Sequence, residues 1–103
     1  MPDAGPLGGK LLMVSGTIPG YRRDRALIAL KDAGARVSNE PKDVARADAL
    51  IVAGQTLVKL SQGRDTKKTR VARDNNVPII RVGTQGEFEQ ILSGRREIRR
   101  VVS

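Results

Sequence analysis

The chain of 103 residues contains no cysteine, histidine or tryptophan, and its aromatic residues are Tyr21 and Phe88. Without cysteine it forms no disulfide and offers no thiolate to a metal. Without histidine it lacks the commonest general base and zinc ligand, and neither a Ser-His-Asp nor a Cys-His centre can be built. We therefore expect a non-catalytic protein that uses no metal or cofactor and has an aliphatic core.

Long apolar runs are also missing. No segment approaches the roughly 18 apolar residues that a membrane-spanning helix needs, and residues 1–9 lack the basic and apolar regions of a secretory signal. The sequence therefore predicts a soluble protein with no membrane partner. The absence of cysteine fits an intracellular location, in the cytoplasm or nucleoid of a bacterium or the nucleus of a eukaryote.

Charge is abundant and unevenly distributed. Residues 1–53 carry eight basic and six acidic side chains, a net charge of +2, whereas residues 54–103 carry eleven and five, a net charge of +6. A basic half indicates an anionic partner, most often a nucleic acid. The alternative is a surface charged only for solubility.

Short apolar runs alternate with helix-like segments, which predicts an α/β fold with a small parallel sheet. The segments 39–46 and 55–65 are predicted as a loop and as a loop or short helix, respectively. Residues 1–8 are predicted to be a flexible lead-in, 9–92 a single domain, and 93–103 a basic tail. The predicted order is strand 10–14, helix 24–33, strand 36–38, strand 49–53, helix 66–75, strand 77–82 and helix 84–92.

An ordered set of short motifs spans most of the chain. These motifs are Gly9-Lys10, Ser15-Gly16-Thr17, Arg23-Asp24, Gly34, residues 47–54, Lys67-Lys68, residues 76–80 and Glu87-Phe88. Individually they are common, but together their order and spacing resemble a BRCT domain, closest to the type in NAD-dependent DNA ligases and in the large subunit of replication factor C.

Two positions depart from the family pattern. Many BRCT domains have tryptophan where this chain has Phe88, although the ligase-like type also uses phenylalanine, and Gly34-Ala35 replaces a frequent pair of glycines. The resemblance implies a four-stranded parallel sheet in the order 2-1-3-4, flanked by three helices. The first and last helices would share one face, and the second would cover the other. It also implies a binding role in DNA replication or repair.

The resemblance also implies a phosphate-binding site. Carried onto this chain, it comprises the Ser15 hydroxyl, the Gly16 amide and Lys68, which lies near a helix N-terminus that favours anions. Thr17 or Thr66 could add a hydroxyl. Each of these residues also has an ordinary structural explanation: a hydroxyl that satisfies a loop amide, a tight turn, or a solvated lysine.

Basic residues around this site are candidates for contacts to the DNA backbone. Arg70 and Arg73 share a helix face, whereas Arg23 beside Asp24 could be an intrahelical partner instead. The tail arginines form either a second patch or a solubilising end. The backbone candidates are Arg22, Arg23, Lys67, Arg70 and Arg73, and the tail arginines are Arg95, Arg96, Arg99 and Arg100.

Two functions are therefore compatible with the sequence. The first is a module that binds DNA, preferably at a 5′-phosphorylated end or nick. The alternative is a protein-interaction module that binds a phosphoserine or phosphothreonine peptide, or another BRCT domain.

Overall fold

A four-stranded, all-parallel sheet lies at the centre of the computed structural model, which describes residues 5, 7–38 and 40–96. The strand order is β2-β1-β3-β4, which confirms the predicted α/β fold and its topology. The strands are β1 Leu11–Ser15, β2 Arg36–Val37, β3 Ala49–Val52 and β4 Ile79–Arg81.

Five helices flank this sheet in the described residues, two more than the three that were predicted. One of the five is a 3₁₀ helix. They are α1 Arg23–Asp32, the 3₁₀ helix Pro41–Arg46, α2 Gly54–Ser61, α3 Lys67–Asp74 and α4 Gln85–Leu92.

The two additional helices lie in segments with weak sequence signals. The prediction of a loop over 39–46 was wrong, because Pro41 starts a 3₁₀ helix whose Val44 is fully buried. For segment 55–65 the sequence predicts either a loop or a short helix, and α2 occupies most of it. Leu57 and Leu60 of α2, three positions apart, pack against the sheet.

Two apolar clusters cover the opposite faces of the sheet, because successive side chains of a strand point in opposite directions. In β3, Ile51 belongs to the cluster with α1 and α4, while Leu50 belongs to the cluster with the 3₁₀ helix, α2 and α3. On the first face Phe88 is fully buried, with the ring of Tyr21 edge-on at 4.9 Å. Burying one such side chain is worth about 1.5–3 kcal/mol.

The ends of the helices follow local rules. Gly34 has a φ of 100° after α1, where the amide of Ala35 donates to the Leu30 carbonyl at 3.0 Å. This is a Schellman cap, as the glycine predicted. Asn76 ends α3 in the same way with a φ of 58°. Asparagine tolerates this conformation better than most residues with a side chain.

All four α-helices begin at one edge of the sheet. Helices α1, α2 and α4 follow the carboxyl ends of β1, β3 and β4 along the chain. Helix α3 leads into the start of β4, so it runs antiparallel to that strand and also begins near the carboxyl edge. Four helix N-termini, each with a partial positive charge, are therefore directed to the same side of the molecule.

Residues near the two predicted ends of the domain differ in how they pack. Leu7 falls in the segment predicted as a lead-in, yet it is 1% exposed, and its amide donates to the Ala33 carbonyl at 2.8 Å. Packing therefore starts before Gly9. In the predicted tail, Arg95 and Arg96 are exposed, whereas Arg99 and Arg100 lie outside the described residues.

Candidate anion-binding site

Two loops touch at the carboxyl edge of the sheet. Strands β1 and β3 pair in parallel, with Ser15 opposite Val52, so the chain leaves both strands side by side. Gly16 has a φ of 93°, and a Cβ there would lie 1.8 Å from the Ala53 carbonyl oxygen. The missing side chain of Gly16 therefore admits the backbone of the neighbouring loop, a structural requirement that the sequence did not indicate.

Ser15 is 8% exposed, and its side chain is hydrogen-bonded to a residue that the sequence did not single out. Its Oγ lies 3.0 Å from Oγ1 of Thr56, which is 7% exposed and lies in the first turn of α2. Two hydroxyls that share one hydrogen bond use one of their two protons. The pair therefore retains one O–H that can donate to a further acceptor.

Lys68 reaches across from α3 to the end of β1. Its Nζ lies 3.5 Å from the Val14 carbonyl oxygen, next to Ser15 in the chain. Burial, together with the nearby positive charge of Arg23, lowers the pKa of Lys68 below 10.5. The structure therefore brings three predicted site residues, Ser15, Gly16 and Lys68, to the same place, with Arg23 within electrostatic reach.

Neither of these two cations has an acidic partner among the described residues. In that part of the chain, ion pairs join Arg46 to Asp43 and Arg73 to Asp65, and none includes Lys68 or Arg23. A half-buried lysine near an arginine, with no carboxylate in contact with either, is in an electrostatically unfavourable environment. A bound anion would relieve this repulsion.

The two accessory threonines differ in position. Thr66 caps α3, because its Oγ1 accepts from the Thr69 amide at 3.3 Å while its own amide donates to Thr69 Oγ1 at 2.8 Å. This reciprocal capping box gives Thr66 a structural role. Thr17 is exposed, and its backbone lies against Gly54.

The candidate backbone contacts divide into two groups. Arg22, Lys67 and Arg70 are exposed near the starts of α1 and α3. Arg73 is also exposed, but its Nη1 lies 2.8 Å from Oδ2 of Asp65. Arg73 is therefore partly neutralised, and the predicted patch on α3 is weaker at this residue than the sequence indicates.

The helix N-termini also differ at this edge. The side chains of Thr66 and Thr84 cap α3 and α4, whereas neither Arg22 nor Ala53 provides a side-chain cap for α1 or α2. The uncapped helices are the two that directly follow β1 and β3. Helix α2 starts against the Gly16 loop, and its first amides add positive potential beside Gly16.

Thr56 is the residue that the sequence analysis missed. A threonine inside an apolar helical segment has no distinctive pattern. However, residues that follow β3 must lie near those that follow β1 once the two strands are paired in parallel. A search for hydroxyl residues shortly after both strands would have found Thr56 from the topology.

The described residues contain no group of three or more acidic side chains that could hold a metal ion. Over the same residues, no helix has the length and apolar character to cross a membrane. The arrangement instead offers donors and positive charge, which suit the binding of an oxyanion.

Searches of protein-family models, curated proteins and solved structures find no match to this chain. The resemblance to a BRCT domain therefore stays a prediction that rests on the sequence motifs.

Proposed function

We propose that this chain is a non-catalytic, BRCT-like module that binds duplex DNA, preferably at a 5′-phosphorylated end or nick, in DNA replication or repair. The observation that carries the proposal is Lys68, which has no carboxylate partner among the described residues and whose Nζ approaches the Val14 carbonyl oxygen, next to Ser15. The positive charge of the exposed Arg23 acts on this lysine. No cofactor is part of the proposed activity.

A terminal phosphate fits this site better than an internal one. A phosphate monoester carries a charge of about −1.5 to −2 at neutral pH, whereas each internal phosphate of DNA carries one negative charge. The site offers Lys68, with Arg23 within electrostatic reach, one free hydroxyl proton and the amino end of the uncapped helix α2. Each charge-assisted hydrogen bond contributes about 1.5–3 kcal/mol. The additional charge and oxygen atom of a terminal phosphate should therefore give it a more favourable binding free energy than an internal phosphate.

Surrounding basic residues support contact with the rest of a duplex. Arg22, Lys67 and Arg70 are exposed near the starts of α1 and α3, on the side of the molecule where the phosphate would lie. Such residues hold the sugar-phosphate backbone without reading sequence. Tyr21 packs on Phe88 in the core. With these as the chain's aromatics, we expect no stacking platform for single strands.

The test compares two labelled duplexes that differ only in a recessed 5′-phosphate or 5′-hydroxyl, by fluorescence anisotropy over a salt series. We expect tighter binding to the phosphorylated duplex. Lys68→Ala is expected to reduce this preference by about tenfold or more, as one charge-assisted bond implies. The matched control is Arg73→Ala, which removes a cation from the same helix and is expected to preserve the preference.

Other outcomes would contradict the proposal. Equal affinity of the wild type for both duplexes would indicate a nonspecific basic surface. Absence of binding to either duplex at low salt would overturn the DNA assignment, and a labelled phosphoserine peptide would then test the protein-interaction alternative. Binding to DNA should weaken steeply with salt, by about 0.9 in the logarithmic slope per neutralised phosphate.

A further inference from the structure

The contact between Ser15 and Thr56 sets the direction of a proton. Their oxygens are 3.0 Å apart, and either hydroxyl can be the donor. If Thr56 donates to Ser15, the Ser15 proton is free to point elsewhere, and the reverse applies if Ser15 donates. Ser15 can therefore offer its proton to a ligand only when the Thr56 proton occupies the bond between them.

We propose that Thr56 is a positioning residue of the phosphate site, whose hydroxyl donates to Ser15 Oγ and directs the Ser15 proton towards the ligand. This inference rests on the function proposed above. We assign this direction to the hydrogen bond between Thr56 and Ser15 because of the position of Lys68, whose Nζ approaches the Val14 carbonyl next to Ser15. The ligand charge is therefore expected on the Ser15 side of the pair.

The backbone holds Thr56 in place for this task. It occupies the first turn of α2, directly after the contact of Gly54 with the Thr17 backbone. Its Oγ1 lies 3.3 Å from the position that a Cβ on Gly16 would occupy, so it lies against the Gly16 loop. A hydroxyl that already accepts a hydrogen bond donates a stronger one, because successive bonds polarise each other.

Thr56→Val tests this role, because valine keeps the branched shape and removes the hydroxyl. The measured quantity is the ratio of affinities for the 5′-phosphorylated and 5′-hydroxyl duplexes. We expect Thr56→Val to reduce the ratio by about three- to tenfold, the value of one ordinary hydrogen bond. Affinity for the 5′-hydroxyl duplex should stay unchanged. Thr56→Ser retains the donor and is expected to restore the ratio.

A double-mutant cycle tests whether Thr56 acts through Ser15. If it does, Ser15→Ala and the double variant Ser15→Ala/Thr56→Val should have the same ratio, because the second change has nothing left to remove. Additive losses would overturn the positioning role and make Thr56 an independent contact. A loss in Thr56→Val that Thr56→Ser does not restore would also overturn it, because packing would then be the cause.

The experiment separates failure of this inference from failure of the proposed function. If the wild type prefers the phosphorylated duplex and Lys68→Ala loses that preference, while Thr56→Val retains it in full, the inference alone is wrong. If the wild type shows no preference, both are wrong. Thermal unfolding of each variant checks that the fold is intact, and Thr56→Ala, which also removes the hydroxyl, carries the test if Thr56→Val does not fold.

Discussion

Lys68 and Arg73 lie on the same helix, five positions apart, but in different electrostatic surroundings. Arg73 is paired with Asp65 and is exposed to solvent. Lys68 is half-buried, its Nζ approaches the Val14 carbonyl oxygen, and the positive charge of Arg23 is nearby. An exposed ion pair of the first kind is worth about 0–1 kcal/mol and needs no ligand. The second arrangement is unfavourable until an anion arrives.

This difference shows why a count of basic residues does not locate a binding site. The chain carries 19 lysines and arginines, and most of them lie on the solvated surface. A cation indicates a binding site when burial removes water from it and no carboxylate replaces that water. The predictions below test whether this distinction holds, beginning with the largest effect.

The loop that forms one wall of the Lys68 site should tolerate no side chain at Gly16. Gly16→Ala is expected to lower the free energy of unfolding by about 2–5 kcal/mol, because a Cβ combines positive-φ strain with overlap of the Ala53 carbonyl. Gly63 is the control, since it has a φ of 76° and a Cβ placed there would have no described atom within 4 Å. Gly63→Ala should cost only about 1–2 kcal/mol in urea unfolding. Equal losses would show that the contact between the loops is unimportant.

Removing the partner of Arg73 should make its charge available to DNA. Asp65→Asn removes the carboxylate that lies 2.8 Å from Nη1 of Arg73. We expect affinity for both duplexes to rise about two- to fivefold at low salt, since an exposed ion pair is weak. The preference for the 5′-phosphate should not change. A change in that preference would mean that Arg73 belongs to the phosphate site after all.

The unfavourable charge of Lys68 should be visible in stability. Lys68→Met keeps much of the aliphatic length, and we expect a gain of only a few tenths of a kcal/mol at neutral pH, because the half-exposed group is screened. The folded-state pKa of Lys68 is lowered, so the wild type gains stability as pH rises through that pKa towards 10.5. The advantage of Lys68→Met should shrink over this range in urea titrations. An advantage that grows with pH would contradict the direction of the shift.

The centre of the sheet was largely predictable because β1 and β3 are short apolar strands that are almost entirely buried. The apolar segment around Ala49–Val52 indicated a central strand, and Gly34 marked the end of α1. The strand order came from the family resemblance, because apolar runs alone do not specify neighbours. Helix α2 was harder to place, because Ala53 precedes it without a capping side chain.

The site was only partly predictable because its key features are non-local. Ser15, Gly16 and Lys68 were identified, but the contact of Ser15 with Thr56 depends on the pairing of β1 with β3. Asp65 lies three positions before Lys68 and could have neutralised it. The structure instead directs Asp65 to Arg73, eight positions away. The sequence alone was therefore enough to identify Lys68. That Lys68 has no acidic partner among the described residues could be seen only from the fold.

The central claim is that Lys68 carries a positive charge that a bound phosphate neutralises. The most direct measurement is the pKa of Lys68, followed by NMR of its Cε and Nζ nuclei, free and with each of the two duplexes. We predict a pKa below 10.5 in the free protein and a clear rise with the 5′-phosphorylated duplex, larger than with the 5′-hydroxyl duplex. A pKa that does not respond to the 5′-phosphate would contradict the claim.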